Sequence, residues 1–276
     1  MTHVLKPGLY VVATPIGNLE DMSPRAERVL REAAIVAAED TRTSRLLLTR
    51  AGSEASMVSL TEHNVESRIP ALLEAAARSV VALVSDAGTP VVADPGGRLV
   101  AAAHSQGIAV VAIPGPSALA AAISAAGFDG SDVHFIGFLP KTKGERQARL
   151  KATAAAAEVL VFFESPTRLG KALLDVSEAL GDPEVVVCRE LTKLHEEIVR
   201  GHASELAQRF ATTRGECTVV VRCPAVEPSS HADDEIAGYM AEMQRAGARR
   251  AGAAAEAVRR FGVSRDMAYG LWDRDE

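Results

Sequence analysis

Two α/β domains followed by a small helical extension are the fold class this sequence predicts, and three patterns carry it. Short β-branched runs alternate with helical patterns from Leu9 to about Ala125, as in an open sheet covered on both faces. A turn-rich break at Gly127-Phe128-Asp129-Gly130 then introduces a second set of apolar runs with different spacing. Past a stretch containing Pro and Ser, the chain keeps only helical periodicity. The expected domains are 1–116, 117–224 and 225–276.

In the first domain, Leu9–Ala13, Ile35–Ala38, Val80–Val84 and Ala109–Ile113 read as parallel strands, because each is apolar along its length rather than alternately. Ser23 before Pro24 opens the first helix. The hydroxyl accepts from free amides of the first turn, and the fixed φ of proline suits the first helical position. Arg25 to Ala33 continue the helix, and the βαβα order implies right-handed crossovers. In the second domain the strands are Val133–Phe138, Val159–Phe163, Val185–Cys188, Ile198–Arg200 and Thr218–Arg222. Two late strands lie close together, and a helix over Ser204–Thr212 precedes the last one, so a mixed sheet with antiparallel pairing is expected. Pro224–Asp234 reads as a linker before three short helices that resemble a helix-turn-helix appendage. Val258, Phe261, Val263, Met267, Tyr269, Leu271 and Trp272 would form its core. Arg245, Arg249, Arg250, Arg259 and Arg260 suit either an RNA contact or solvated helix faces.

Aromatic residues make up only 4% of the chain, so the core must be built from aliphatic packing. The sequence holds no apolar run long enough to span a membrane, and Met1 to Pro7 lack a signal-peptide core, so a cytoplasmic protein without membrane contact is expected. Cys188, Cys217 and Cys223 are too scattered for a disulfide framework and read as small buried hydrophobes. A formal charge of −6 argues against indiscriminate coating of nucleic acid. Locally the balance reverses, since Lys141, Lys143, Arg146, Arg149 and Lys151 oppose Glu145 alone.

Several chemistries lack their residues. There is no phosphate loop with a terminal Gly-Lys-Ser/Thr, and no Gly-x-Gly-x-x-Gly after the first strand. His195-Glu196 begins like a zinc-protease helix, but Val199 stands where the second histidine is needed, so no metal is expected. Gly115-Pro116-Ser117-Ala118-Leu119 falls one glycine short of a nucleophile elbow, which keeps a serine hydrolase as a distant alternative.

What remains points to a ligand pocket. Ala13-Thr14-Pro15-Ile16-Gly17-Asn18, Asp86-Ala87-Gly88-Thr89-Pro90 and Ile113-Pro114-Gly115-Pro116-Ser117 each follow a strand and precede a helix. In open α/β sheets small molecules sit beyond the carboxyl ends of strands, where glycine admits close backbone approach.

Those segments, with Ala38-Glu39-Asp40-Thr41-Arg42, Asp94-Pro95-Gly96, Gly137-Phe138-Leu139-Pro140, Phe163-Glu164-Ser165-Pro166-Thr167-Arg168 and Arg189-Glu190-Leu191-Thr192-Lys193, resemble in order and spacing the small-subunit ribosomal RNA 2′-O-ribose cytidine methyltransferases. The resemblance covers essentially residues 8 to 222. It departs at Thr167, commonly His, and at Phe163, commonly Tyr, so a base at position 167 is not expected here.

The resemblance implies a two-domain tetrapyrrole-methylase fold, also called class III methyltransferase, with S-adenosylmethionine in the cleft. The implied cofactor contacts are Ile16, Gly17, the loop Asp86, Ala87, Gly88, Thr89, Pro90, Val91, Val92 and Ala93, then Ser117, Ala118, Phe163 and Glu164. Asp40 and Glu190, with Arg42, are expected at the acceptor site. Arg42, Lys141, Lys143, Arg146, Arg168, Arg189 and Lys193 are expected at RNA phosphates. For each carboxylate, an ordinary ion pair with a neighbouring arginine stands as the competing explanation. The resemblance also implies a homodimer and small-subunit ribosomal RNA as partner. The alternatives are a methyltransferase for a cobalamin or siroheme precursor, and a non-catalytic RNA- or ribosome-binding module on the same scaffold.

Overall fold

The computed structural model describes residues 4–224, 230–261, 263 and 265–272. The chain divides into two compact units, Met1–Pro224 and Ala225–Glu276. Both expected α/β domains therefore fall within the first unit, each with its own sheet.

The first sheet holds β1 (Gly8–Val12), β2 (Ile35–Ala38), β3 (Ser56–Ser59), β4 (Val80–Val84) and β5 (Val110–Ile113) in the order β3-β2-β4-β1-β5, with every pairing parallel. The helices α1 (Pro24–Glu32), α2 (Thr41–Ala51), α3 (Val65–Ala76) and α4 (Gly97–Ser105) connect them. Side chains alternate across the pleat. Tyr10, Val12, Val36 and Ala82 pack with α1 and α2, whereas Leu9, Ala37, Val81 and Leu83 pack with α3 and α4. Burial on both faces is what makes these strands continuously apolar in sequence. α1 starts as expected, with the Ser23 hydroxyl accepting from the Ala26 amide at 3.1 Å and Pro24 at the first position. β3 was not anticipated: its Ser-Met-Val-Ser sequence forms an edge strand that needs apolar contact on fewer sides.

The second sheet holds β6 (Val133–Phe138), β7 (Val159–Glu164), β8 (Glu184–Arg189), β9 (Glu197–His202) and β10 (Cys217–Arg222) in the order β6-β7-β10-β8-β9. It is mixed, as expected. β6 runs parallel to β7, whereas β10 is antiparallel to both β7 and β8, and β8 to β9. The helices α6 (Lys143–Ala154), α7 (Pro166–Leu180) and α8 (Ala203–Arg209) cover one face. α5 (Ala118–Ala126) covers the other, in a cluster that also takes in Ile16 from the first lobe and Leu191. That shared cluster joins the two lobes below the cleft.

The second unit contains α9 (Ser230–Arg245), α10 (Arg250–Phe261) and α11 (Arg265–Trp272). The expected linker is therefore shorter than predicted: helix begins at Ser230, and residues 225–229 lie outside the described residues. Its core also differs. Ile236, Met240, Ala253, Ala254, Ala257 and Ala268 are buried beside Leu271 and Trp272, while Val258, Phe261, Val263, Met267 and Tyr269 are only half-buried. Alanines take the centre because they let the helices approach closely. Among the described residues no helix is long and apolar enough to cross a membrane.

Candidate active site

Three loops at the carboxyl ends of β1, β4 and β5 are knitted together by backbone. The Thr14 amide donates to the Gly88 carbonyl at 2.8 Å, and the Gly88 amide returns a bond to the Thr14 carbonyl at 3.0 Å. The buried Thr14 hydroxyl reaches the carbonyls of Ser85 and Gly88, and the Thr89 hydroxyl donates to the Pro116 carbonyl at 3.1 Å. Gly88 has φ +79°, and a Cβ there would meet Ile16 Cγ2 at 3.2 Å. Val91 and Ala93 also hold positive φ, a cost that β-branched Val91 in particular must recover from surrounding structure.

Between these loops and the second lobe lies a cavity of about 390 Å³. The first lobe lines it with Ile16, the stretches 86–89 and 92–94, Ser117 and Ala118. The second contributes Phe138, Phe163, Glu164, Cys188, Leu191 and Cys217. Phe163 meets Phe135 and Phe138 edge-on, at centroid distances of 4.8 and 5.8 Å. The cysteines are buried, and burial pushes the thiols of Cys188 and Cys217 up to about 11, so both serve as apolar wall.

The charge of this lining is one-sided. Asp86, Asp94, Glu164 and Glu216 face the cavity, and no Lys, Arg or His lines it. Burial, reinforced by Asp86 and opposed by a Ser85 hydrogen bond, pushes the Asp94 carboxyl up to about 6. Burial, then the neighbouring acids Asp86, Asp94 and Glu62, raise Glu39. Glu164 is 3% exposed, and burial raises it too. Its Oε1 accepts from the Ser165 amide at 2.8 Å. Its Oε2 lies 3.1 Å from Arg168 Nη2 but receives no hydrogen, because that nitrogen donates to the carbonyls of Leu139 and Pro140. A half-apolar pocket holding carboxylates with unspent acceptor capacity suits a cationic ligand that carries a flat heterocycle. A sulfonium nucleoside fits that description.

Most residues expected at the cofactor line this cavity: Ile16, Asp86, Ala87, Gly88, Thr89, Val92, Ala93, Ser117, Ala118, Phe163 and Glu164. Gly17, Pro90 and Val91 do not. Gly17 lies beneath the strap at 190–193, where a Cβ would come within 2.3 Å of Lys193 Cγ, so its role is close lobe contact. Pro90 is buried in the loop and Val91 is exposed. Sequence reasoning missed Asp94, Cys188, Leu191, Glu216 and Cys217. Asp94 was legible in its Asp-Pro-Gly motif, but the others looked like ordinary core or surface.

The expected acceptor-site residues are engaged in ion pairs. Asp40 caps α2 by accepting from the Arg42 amide at 2.8 Å, and Arg42 Nη2 pairs with its carboxylate at 2.9 Å, which holds that carboxyl down at about 2. Asp40 meets the cavity loop through its amide, which donates to Asp86 Oδ1 at 2.9 Å. Glu190, at φ +51°, accepts from Lys193 Nζ and from the Glu216 amide, both at 2.9 Å, and Lys193 holds its carboxyl below the usual range.

The basic residues separate into two groups. Arg42, Lys141 and Lys143 are exposed at the surface, Lys143 pairing with Glu178 at 2.8 Å. Arg146 corrects the expectation of a phosphate contact. It is buried, pairs with buried Asp175, and donates to the carbonyls of Pro140 and Lys141, which leaves it no face for an external anion. Arg168 is half-buried, and its Nη2 donates to the carbonyls of Leu139 and Pro140 beside Glu164. Arg189 pairs with Glu197, and Lys193 bridges Glu190 and Glu216. Ser117 stands at the N-cap position of α5, without a side-chain capping bond, at a cavity wall that holds no histidine, so the triad of a serine hydrolase is not assembled there. Among the described residues no group of His, Cys, Asp and Glu has the arrangement of a metal site.

Comparison with known proteins adds an independent line. Residues 8–207 match the profile of the Tetrapyrrole (Corrin/Porphyrin) Methylases. A protein of Thermotoga maritima called ribosomal RNA small subunit methyltransferase I is 45% identical over 216 residues, 77% of this chain and 97% of its own. A Streptococcus pyogenes protein of the same name is 38% identical over 267 residues, covering 95% and 93% of the two chains. Among solved structures, the cobalamin biosynthetic enzyme cobalt precorrin-4 methyltransferase superposes with a TM-score of 0.60 at 19% identity, over 77% of this chain and 93% of that one. Uroporphyrin-III C-methyltransferase from Thermus thermophilus, complexed with S-adenosylhomocysteine, gives 0.56 at 22% identity over 78% and 96%.

Proposed function

This chain belongs to the tetrapyrrole methylase family, and we propose that it methylates the 2′-hydroxyl of a cytidine ribose in small-subunit ribosomal RNA. The methyl donor is S-adenosylmethionine. When bound it supplies an electrophilic methyl carbon on a positively charged sulfur. The relatives at 38–45% identity are named for the small ribosomal subunit, which favours RNA over a tetrapyrrole as acceptor.

The observation that carries this reading is the one-sided cavity. Asp86, Asp94, Glu164 and Glu216 give it a lining of acids with no cationic residue in the wall, Arg168 and Lys193 pairing with Glu164 and Glu216 from behind it, while Phe163, Ile16 and Leu191 provide apolar walls. On this reading the loop 86–93, Gly17 beneath the strap, Ser117 and Ala118 hold and shape the donor site. Asp40 and Glu190, fixed by their ion pairs, shape the acceptor site at its edge, and Arg42, Lys141 and Lys143 meet RNA phosphates. A ribose hydroxyl is a poor nucleophile, so holding its oxygen in line with the methyl carbon and excluding water supply much of the acceleration. A homodimer would extend the cleft over a large substrate. Light scattering should then return twice the 29.0 kDa chain mass.

Labelled methyl transfer offered in parallel to assembled small subunits, naked small-subunit RNA and a tetrapyrrole precursor tests the reading. Label in the RNA ribose supports it; label only in the tetrapyrrole, or no transfer to any acceptor, refutes it. Asp40→Asn and Glu190→Gln should each lower RNA methylation about tenfold or more with donor binding intact. Normal turnover in both removes them from the acceptor site.

A further inference from the structure

A second cavity, of about 450 Å³, lies where the end of β8 meets the start of β9, the end of α8 and the loop that leads into β10. Arg189, Arg209 and Arg214 line it, together with Glu197, Thr212 and Thr213. The two cavities share chain. Arg189 directly follows Cys188, and Arg214 directly precedes Gly215, both donor-cavity residues, while Arg189 is the cross-strand partner of Cys217.

The arrangement is preorganised for an anion. Glu197 receives Arg189 Nε at 3.0 Å and Arg209 Nη2 at 2.5 Å, one oxygen to each, and so fixes both guanidinium planes. Arg189 Nη1 donates to the Arg214 carbonyl at 3.3 Å, which ties the loop carrying Arg214 to the same frame. Arg209 also lies over the Phe210 ring at 5.7 Å. Glu197 is kept ionised by Arg209 and Arg189, yet one carboxylate faces three guanidiniums, and each guanidinium carries five donor hydrogens. Arg214 is exposed, and its side chain makes no ion pair among the described residues. The surplus is both charge and directed N–H groups, flanked by two threonine hydroxyls. Forked guanidinium donors match phosphate oxygens in a way that lysine ammonium groups do not.

We propose that this cavity is a phosphate subsite, taking a backbone phosphodiester of the RNA next to the nucleotide presented at the donor cavity, through Arg209, Arg214 and the free edge of Arg189. The inference rests on the RNA reading above and sharpens it. The exposed lysines at 141 and 143 supply sequence-independent attraction, whereas this built cavity fixes the register of the strand over the donor.

Arg214→Gln is the primary test, because it removes no ion pair; Arg209→Gln/Arg214→Gln is the stronger one. Binding of labelled small-subunit RNA is measured across a salt series, with S-adenosylmethionine affinity as the control for an intact fold. The expected result for Arg214→Gln is RNA affinity lowered severalfold or more, a slope of log affinity against log salt shallower by about 1, and unchanged donor affinity. The double variant should lose more affinity and raise the RNA KM with little change in kcat. Unchanged RNA affinity and slope in Arg214→Gln, with wild-type binding intact, overturn the subsite alone. Wild-type protein that neither binds nor methylates RNA brings down the RNA reading, and the subsite with it. Inorganic phosphate distinguishes the remaining source: if it binds wild type but not the variant, while RNA affinity is the same in both, the cavity serves a free anion and the proposal is wrong.

Discussion

The two cavities of the first unit meet at one strand junction and carry opposite charge. The cavity proposed for the donor is lined by four carboxylates and no cationic side chain, whereas its neighbour sets three guanidiniums around a single carboxylate. On the proposed assignment, the difference lets a chain of net charge −6 serve both a cationic donor and a polyanionic acceptor. On the proposed reading each ligand meets charge opposite to its own within a few residues of the other, and each local field acts over about a Debye length, so the overall charge decides little.

The contrast between buried and accessible arginine gives the largest effect. Arg146→Ala should cost about 3–5 kcal/mol of stability by stranding buried Asp175, measured by denaturant unfolding. In the protein that remains folded, the salt slope for RNA should not change; a reduced slope would return Arg146 to the RNA surface. A cation placed in the negative cavity comes next. Asp94→Lys should weaken donor binding by about 100-fold, on the order of the charge-pair energies found near protein surfaces, while RNA affinity holds. Equal loss of both ligands in calorimetry would break the division between the cavities. Reversal at the positive cavity, Arg214→Glu, should raise the RNA KM about tenfold with donor affinity unchanged.

The smallest effect is a pH dependence. Asp94 titrates near 6, above its ordinary value, so it is largely protonated at pH 5 and ionised at pH 7, where it faces Asp86 and the Ser85 hydroxyl. Donor affinity should therefore rise severalfold between pH 5 and 7, and Asp94→Asn should flatten that rise. A group with a raised folded pKa contributes stability at low pH that is lost as pH rises through that value. Ligand-free protein should accordingly gain a little stability from Asp94→Asn at pH 7 and none at pH 4.

The sequence made the sheets legible because burial on both faces writes itself as uninterrupted Val, Ala and Leu, as in Val80–Val84. β3 escaped, since an edge strand with serines at both ends carries no such run. The first-lobe side of the donor cavity was readable because close approach demands Gly and Pro at particular places, Gly88 above all. The second-lobe side was not. Cys188 and Cys217 become cavity wall only through the antiparallel register that sets Thr218 beside Cys188 and Arg189 beside Cys217, and register is set by the folded sheet. Arg146 shows the limit of counting charge along a chain, because one carboxylate 29 positions away turns a basic surface residue into a buried brace.

The most direct measurement of the central claim is nucleoside mass spectrometry of RNA from small ribosomal subunits after incubation with the protein and methyl-labelled S-adenosylmethionine. The account predicts label in 2′-O-methylcytidine, strongly reduced by Asp94→Lys at donor concentrations near the wild-type Kd. Label on a base, or undiminished label with the Asp94→Lys protein, would contradict it.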